Sequence, residues 1–111
     1  MQIATRQTGV ATIVDVKGDI DLYNSPEMRK VILEELRDKR TARLVINLTQ
    51  VRYIDSSGVA SLVEGLKTSK TLGSRFMLFG LSPAAREVLE LSRLIRVFEV
   101  FESEDLALKA Q

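Results

Sequence analysis

The centre of the sequence contains two short apolar runs separated by an amphipathic segment, and this order constrains the fold more than any other feature. Residues 44–48 read Leu-Val-Ile-Asn-Leu, and residues 76–79 read Phe-Met-Leu-Phe. Short runs that are apolar nearly throughout are typical of strands covered on both faces. A strand, a helix and a strand of these lengths predict a right-handed βαβ unit whose two strands are parallel.

The segment between the two runs is predicted to be a helix from about residue 57 to residue 72. Its buried stripe recurs at helical spacing and consists of Val59, Leu62, Val63 and Leu66. Gly73 is the expected C-cap, because glycine readily adopts the left-handed conformation that ends many helices.

The N-terminal part of the chain predicts two strands and a first helix. The strands cover residues 3–7 and 10–16, with Gly9 in the turn between them, and a polar loop follows Gly18. Ser25 is the expected N-cap of the first helix and Pro26 its first residue. Its buried stripe is Met28, Val31, Ile32 and Leu36. Its solvent-exposed side is Glu27, Glu34, Glu35, Arg37 and Lys39.

The C-terminal part predicts a third helix, a last strand and a short final helix. Ser82 is the expected cap of the third helix, with Pro83 at its first position. Residues 95–101 predict the last strand, and Ser103 starts the final helix. The whole chain, residues 1–111, therefore predicts one α/β domain. We expect a mixed sheet of four to five strands, flanked by about four helices in two or three layers.

Composition excludes several classes of function. The chain has 16 Lys and Arg residues against 15 Asp and Glu residues, so it lacks the basic surface that a direct nucleic-acid binder needs. It contains no cysteine and no histidine, which argues against a Cys/His metal site, an enzyme and a bound cofactor. Neither a signal peptide nor an apolar run long enough to insert into a membrane is recognisable. We therefore expect a cytoplasmic protein.

The segment whose residue types best fit a functional site is Asp55-Ser56-Ser57-Gly58, which joins the first apolar run to the central helix. It lies at the carboxyl end of a parallel strand, where α/β sheets usually bind ligands. Free N–H groups and the positive end of the helix would accommodate a phosphate there. Two interpretations fit these residue types: an ordinary N-cap beside a close-packed glycine, or a serine hydroxyl offered to a kinase. Local physics alone favours the cap.

Three stretches in this order and spacing resemble the STAS domain family, most closely its anti-sigma factor antagonists. They are Gly18-Asp19-Ile20-Asp21, residues 51–58 with the Asp-Ser-Ser-Gly turn, and Leu81-Ser82-Pro83-Ala84. The resemblance covers essentially the whole chain. It departs from the family pattern at Gly73-Ser74, where a pair of glycines is common.

The resemblance implies a phosphorylation-regulated anti-sigma factor antagonist. The first serine after the aspartate is the phosphate acceptor in such proteins, and it corresponds to Ser56. The implied partners are a cognate anti-sigma factor, which is a GHKL-type Ser/Thr kinase using ATP, and a PP2C-type phosphatase. The unphosphorylated antagonist binds the anti-sigma factor and frees the sigma factor, and phosphorylation ends this binding. The implied partner-binding residues are Asp21, Asp55, Ser56, Ser57 and Gly58.

Three questions stay open at the level of sequence. Ser57 is a second candidate acceptor, which we rank below Ser56 because N–H groups of the first helical turn would engage its hydroxyl. Tyr23 and Tyr53 flank the motif loops and fit either interface anchors or half-buried packing residues. The family resemblance also allows a structural role as a stressosome scaffold, a biofilm regulator or a subunit of a lipid-transport ABC complex.

Overall fold

Strands and helices alternate along the computed structural model, which describes residues 1–111. The strands are β1 (Gln2–Thr8), β2 (Ala11–Lys17), β3 (Arg43–Gln50), β4 (Arg75–Phe79) and β5 (Glu99–Phe101). The helices are α1 (Ser25–Leu33), which continues as a π-helical turn (Glu34–Asp38), α2 (Ser56–Leu72), α3 (Pro83–Leu91) and α4 (Glu104–Lys109). The predicted elements are therefore all present, with bounds that differ by a few residues.

The five strands form one mixed sheet in the order β1-β2-β3-β4-β5. β1 and β2 are an antiparallel hairpin, and every later pair is parallel. The parallel pairing in the predicted βαβ unit is confirmed, since β3 and β4 are parallel neighbours joined through α2 and Leu44 lies opposite Phe76. The predicted α/β class with a mixed sheet and four helices is confirmed as well.

Helices cover both faces of the sheet, but unequally. A cluster of 19 buried residues packs between one face and the helices α1, α2 and α3. On the other face a cluster of 6 buried residues packs against α4, with Ala107 completely buried. Because strand side chains alternate between faces, the apolar runs of β3 and β4 supply both clusters. The fold thus has three layers: the helices α1, α2 and α3, the sheet, and the single short helix α4.

The first helix differs from its prediction at both ends. Its N-cap is Asn24, whereas Ser25 lies within the helix and is buried. The earlier start follows from the preceding turn, where the Ser25 N–H donates to the Asp21 carbonyl at 2.8 Å. Glu35 was predicted to face solvent, yet it is only 2% exposed. The π-helical turn rotates it inward, where its carboxylate accepts hydrogen bonds from Thr41 and Lys39 at 2.9 and 2.8 Å.

The last strand is shorter than predicted, with only residues 99–101 of the expected 95–101 in the sheet. The N–H groups of Leu94 and Ile95 both donate to the Leu89 carbonyl, so the chain wraps around the end of α3 before it reaches the sheet. Phe98 is buried in this wrap against Phe76, with ring centroids 6.4 Å apart. These two bonds hold Leu94 and Ile95 at the end of α3, and the chain joins the sheet only at residue 99.

Candidate functional site

Two loops meet at the carboxyl edge of the parallel strands and form the base of the candidate site. Ile20, after β2, and Ile54, after β3, form an isolated parallel bridge. The Ile20 N–H donates to the Tyr53 carbonyl and the Asp55 N–H donates to the Ile20 carbonyl, both at 3.0 Å. The two motif loops of the sequence are thereby held side by side.

Asp55 is the N-cap of α2. Its Oδ1 atom accepts hydrogen bonds from the N–H groups of Ser57 and Gly58 at 2.9 and 3.1 Å. The Ser57 hydroxyl, followed by these amides, holds the pKa of the Asp55 carboxyl below its usual value. Asp55 therefore carries a full negative charge at neutral pH.

The two serines of the motif have different surroundings. Ser57 is half-buried, and its hydroxyl donates to Asp55 Oδ1 at 2.5 Å. Ser56 is exposed, and its hydroxyl forms no hydrogen bond within the protein. The hydroxyl of Ser57 is engaged, as the sequence predicts, but by the Asp55 carboxylate rather than by an N–H group. Of these two hydroxyl groups, only that of Ser56 is both exposed to solvent and without a hydrogen-bond partner.

Three amides at the start of α2 are already bonded within the protein, which corrects the expectation from sequence that they are free for a phosphate. Those of Ser57 and Gly58 are bonded to the Asp55 carboxylate, and that of Val59 donates to the Asp55 carbonyl at 3.0 Å. Because a carboxylate already occupies the positive end of the helix, a phosphate on Ser56 would remain in solvent beside a like charge.

Gly58 lies beneath the surface and brings α2 close to the paired loops. A Cβ atom at this position would lie 2.6 Å from Ile54 and 2.7 Å from Ile20. The glycine is therefore required by packing, and its predicted part in binding a partner can only be indirect.

Asp21 organises the loop before α1. Its Oδ1 atom accepts hydrogen bonds from the N–H groups of Tyr23 and Asn24 at 2.9 and 3.1 Å. The Asn24 side chain in turn accepts from the Asp21 N–H at 2.8 Å. Asp21 is half-buried, so only part of its side chain is accessible to a partner. Its contact with a partner therefore remains a prediction.

The loops around Asp55 expose large apolar side chains. Leu22 is 68% exposed and Tyr23 92% exposed, while Tyr53 is about half exposed. For Tyr23 this decides between the two open interpretations, because a side chain so exposed is not a packing residue. Leu22 was not singled out from the sequence, where an isolated leucine in a loop gives no sign of its exposure.

A groove of about 550 Å³ runs from Ser56 along the outer side of α2. It is lined by Ser56, Val59, Ala60, Val63, Glu64 and Lys67 of α2 and by Leu94 of the α3–β5 loop. This groove is not evident from the sequence, in which Val63 is expected to belong to the buried stripe. The apolar residues Ala60 and Val63, at helical spacing from Ser56, could have indicated an apolar surface beside the serine. The contribution of Leu94 could not have been predicted, because it depends on the path of the chain around the end of α3.

The Ser-Pro motif of the third helix also contacts the site. The Ser82 hydroxyl accepts from the Ala85 N–H at 3.1 Å, as the predicted cap should. The same hydroxyl donates to the Arg52 carbonyl at 2.7 Å. One side chain therefore caps α3 and fixes the loop that carries Tyr53 and Asp55.

Comparisons with known proteins agree with this geometry. A family model described as the STAS domain matches residues 2–107. The chain is 34% identical over 85 residues to the anti-sigma-B factor antagonist of Listeria monocytogenes, covering 77% of this chain and 74% of that protein.

Solved structures share the fold. A crystal structure of a proposed anti-sigma factor antagonist from Thermotoga maritima superposes with a TM-score of 0.90 at 20% identity, covering 96% of this chain and 92% of that chain. SpoIIAA of Bacillus in its phosphorylated form superposes with a TM-score of 0.74 at 19% identity, covering 96% of both chains. None of the helices in the present structure combines the length and apolarity that a membrane span requires.

Proposed function

The chain belongs to the STAS domain family, and on that premise we propose that it is an anti-sigma factor antagonist whose binding is switched off by phosphorylation of Ser56. The single observation that carries the proposal is the contrast between the two serines of the motif. The Ser56 hydroxyl is exposed and unbonded, while that of Ser57 is held by Asp55. The protein acts as a regulatory binding protein of the cytoplasm rather than as an enzyme.

The proposed partner is an anti-sigma factor that is also a GHKL-type Ser/Thr kinase. The surface that it meets contains Asp21, Asp55, Ser56 and Ser57, with Leu22 and Tyr23 as exposed apolar contacts. Exposed aromatic and aliphatic side chains around a polar centre are a frequent arrangement in protein interfaces. Gly58 contributes by supporting the start of α2 from below.

The covalent step is an ordinary phosphoryl transfer. The Ser56 oxygen forms a bond to the γ-phosphorus of kinase-bound ATP, the bond to the β–γ bridging oxygen breaks, and ADP leaves. The kinase takes the hydroxyl proton, because the carboxylate of the preceding residue, Asp55, is engaged by Ser57 and has a lowered pKa. Hydrolysis of the phosphoserine by a PP2C-type phosphatase restores the hydroxyl.

Phosphorylation is proposed to act through charge and size at the surface. The phosphate brings about −1.5 to −2 charges at neutral pH. The Ser57, Gly58 and Val59 amides are already bonded within the protein, and Asp55 beside the phosphate is already ionised. The added charge therefore stays at the surface that the partner must cover, where like charges and desolvation oppose binding. In support, SpoIIAA has the same fold and exists in a phosphorylated form.

The site of modification can be tested by incubating the protein with its cognate kinase and ATP and mapping the product by mass spectrometry. We expect one phosphate on Ser56, none in Ser56→Ala, and normal incorporation in the matched variant Ser57→Ala. Phosphate on Ser57, or normal incorporation in Ser56→Ala, would refute the assignment. Capture of scaffold or transporter subunits without any phosphorylation would favour the structural role instead.

A further inference from the structure

The two edges of the sheet differ in how well they are protected from pairing. β5, at one edge, has 3 residues, whereas β1, at the other, has 7 and pairs with β2 without any shift of register. Exposed edge strands are normally protected by shortness, proline, lysine or a bulge. β1 has none of these features, and its only charged residue is Arg6.

The outer edge of β1 presents a regular set of backbone donors and acceptors. Gly9 at φ 60° and Val10 form a tight turn between Thr8 and Ala11, which are the closing pair of the hairpin. The residues of a closing pair exchange both backbone hydrogen bonds, and bonded pairs then alternate along an antiparallel ladder. By this alternation Ile3, Thr5 and Gln7 direct their N–H and C=O groups away from β2.

The charge of Arg6 does not protect this edge from pairing with another strand. Its guanidinium donates to Asp15 on β2 at 2.7 Å and also pairs with Glu104 at the start of α4. Both partners lie on the α4 face of the sheet, so the charge is neutralised there and directed away from the free edge.

We propose that β1 pairs antiparallel with β1 of a second copy of the chain about a two-fold axis through Thr5. Thr5 then faces Thr5, Ile3 faces Gln7 and Arg6 faces Ala4. No like charges lie directly opposite, and about six backbone hydrogen bonds form. The net charge of +1 adds little repulsion between copies.

This contact closes on itself, because an isologous interface uses the same edge of both copies. The two five-stranded sheets become one continuous sheet. Since the paired strands are antiparallel, the two Ser56 sites lie at opposite ends of that sheet and both remain accessible. The inference does not depend on the proposed function, because it concerns a different edge of the molecule.

The chain has no cysteine, which allows a direct test of the contact. In Thr5→Cys the only thiols would meet at the two-fold axis, within the Cα separation that a disulfide needs. Mild oxidation should give a covalent dimer about tenfold faster than in Val10→Cys, whose thiol would be exposed in the hairpin turn and react only by collision. Equal rates for the two variants would overturn the proposal.

Sedimentation analysis of the cysteine-free protein provides the second test. The 12.4 kDa chain should dimerise reversibly as its concentration rises. Thr5→Pro removes one outward N–H and should raise the dissociation constant by about tenfold or more, while Thr5→Val, which keeps that N–H, should not. Circular dichroism verifies that both variants fold. A protein that is monomeric up to millimolar concentration, or a dimer indifferent to Thr5→Pro, would contradict the proposed pairing.

Discussion

Replacing Gly58 with alanine tests how tightly α2 packs on the paired loops beneath the site. The new Cβ would lie 2.6 Å from Ile54 Cγ1 and 2.7 Å from Ile20 Cγ2. Both distances are far shorter than the separation of about 3.5–4.0 Å at which carbon atoms attract each other. Both isoleucines are buried, so they cannot move aside without disturbing their other neighbours.

The expected loss of stability follows from two opposing effects. Overpacking of a core costs about 1–3 kcal/mol in the free energy of unfolding. Alanine recovers up to about 1 kcal/mol through its higher helix propensity, and less than that in the first turn. A net destabilisation of about 1–2 kcal/mol remains. With a urea dependence of about 2 kcal/mol/M, the unfolding midpoint should fall by about 0.5–1 M.

Urea unfolding followed by circular dichroism measures this shift. Ser56→Ala is the matched control in the same turn, because its exposed side chain should change the midpoint by less than about 0.3 M. A Gly58→Ala midpoint equal to or above that of the unsubstituted protein would refute the packing argument, since helix propensity would then outweigh any contact with the isoleucines.

Three further substitutions test other parts of the structure. Asp55→Ala should destabilise the protein by about 0.5–2 kcal/mol in urea unfolding at pH 7 through loss of the α2 cap. Because the folded pKa of Asp55 is lowered, its contribution is present above about pH 4 and is lost as the pH falls through the folded pKa, so the two stability curves should converge in acid. Arg93→Gly should raise stability by about 0.5–1 kcal/mol in thermal unfolding, because Arg93 follows α3 with φ 61°, where glycine is unstrained. Leu62→Ala should cost about 2–5 kcal/mol in urea unfolding, because Leu62 is completely buried in the larger core cluster.

Helix caps and apolar runs in the sequence predicted the fold correctly wherever the packing of distant segments favours the same local structure. Gly73 ends α2 with φ 74°, and Ser82 caps α3, both as expected. The apolar runs of β3 and β4 predicted their burial on both faces, and the single helix between them predicted their parallel pairing.

The predictions that were wrong share a physical cause, since each of these features depends on contacts with residues that the local sequence does not reveal. Glu35 is buried because a π-helical turn rotates it toward Thr41. Residues 95–98 look like a strand, but the Ile95 N–H donates to the Leu89 carbonyl of α3 and the Val97 N–H donates to the Leu94 carbonyl. A hydrophobic pattern reports the preference of a segment, whereas these outcomes were decided by competing hydrogen bonds.

The candidate site was predicted in outline but not in its electrostatics. The position of Ser56 at a strand–helix junction followed from the order of elements. The occupation of the helix amides by Asp55 did not, because an aspartate before a helix can cap it or face outward. That detail changes the expected action of the phosphate, from a group bound by the helix to one that stays at the surface.

The most direct test of this account is a calorimetric titration of the partner kinase, loaded with ADP, with unmodified protein and with protein fully phosphorylated at Ser56. Burying a doubly charged group beside ionised Asp55 should cost several kcal/mol, so the phosphorylated form should bind about a hundredfold more weakly or worse. Equal affinities for the two forms would contradict the claim that surface charge at Ser56 controls the interaction.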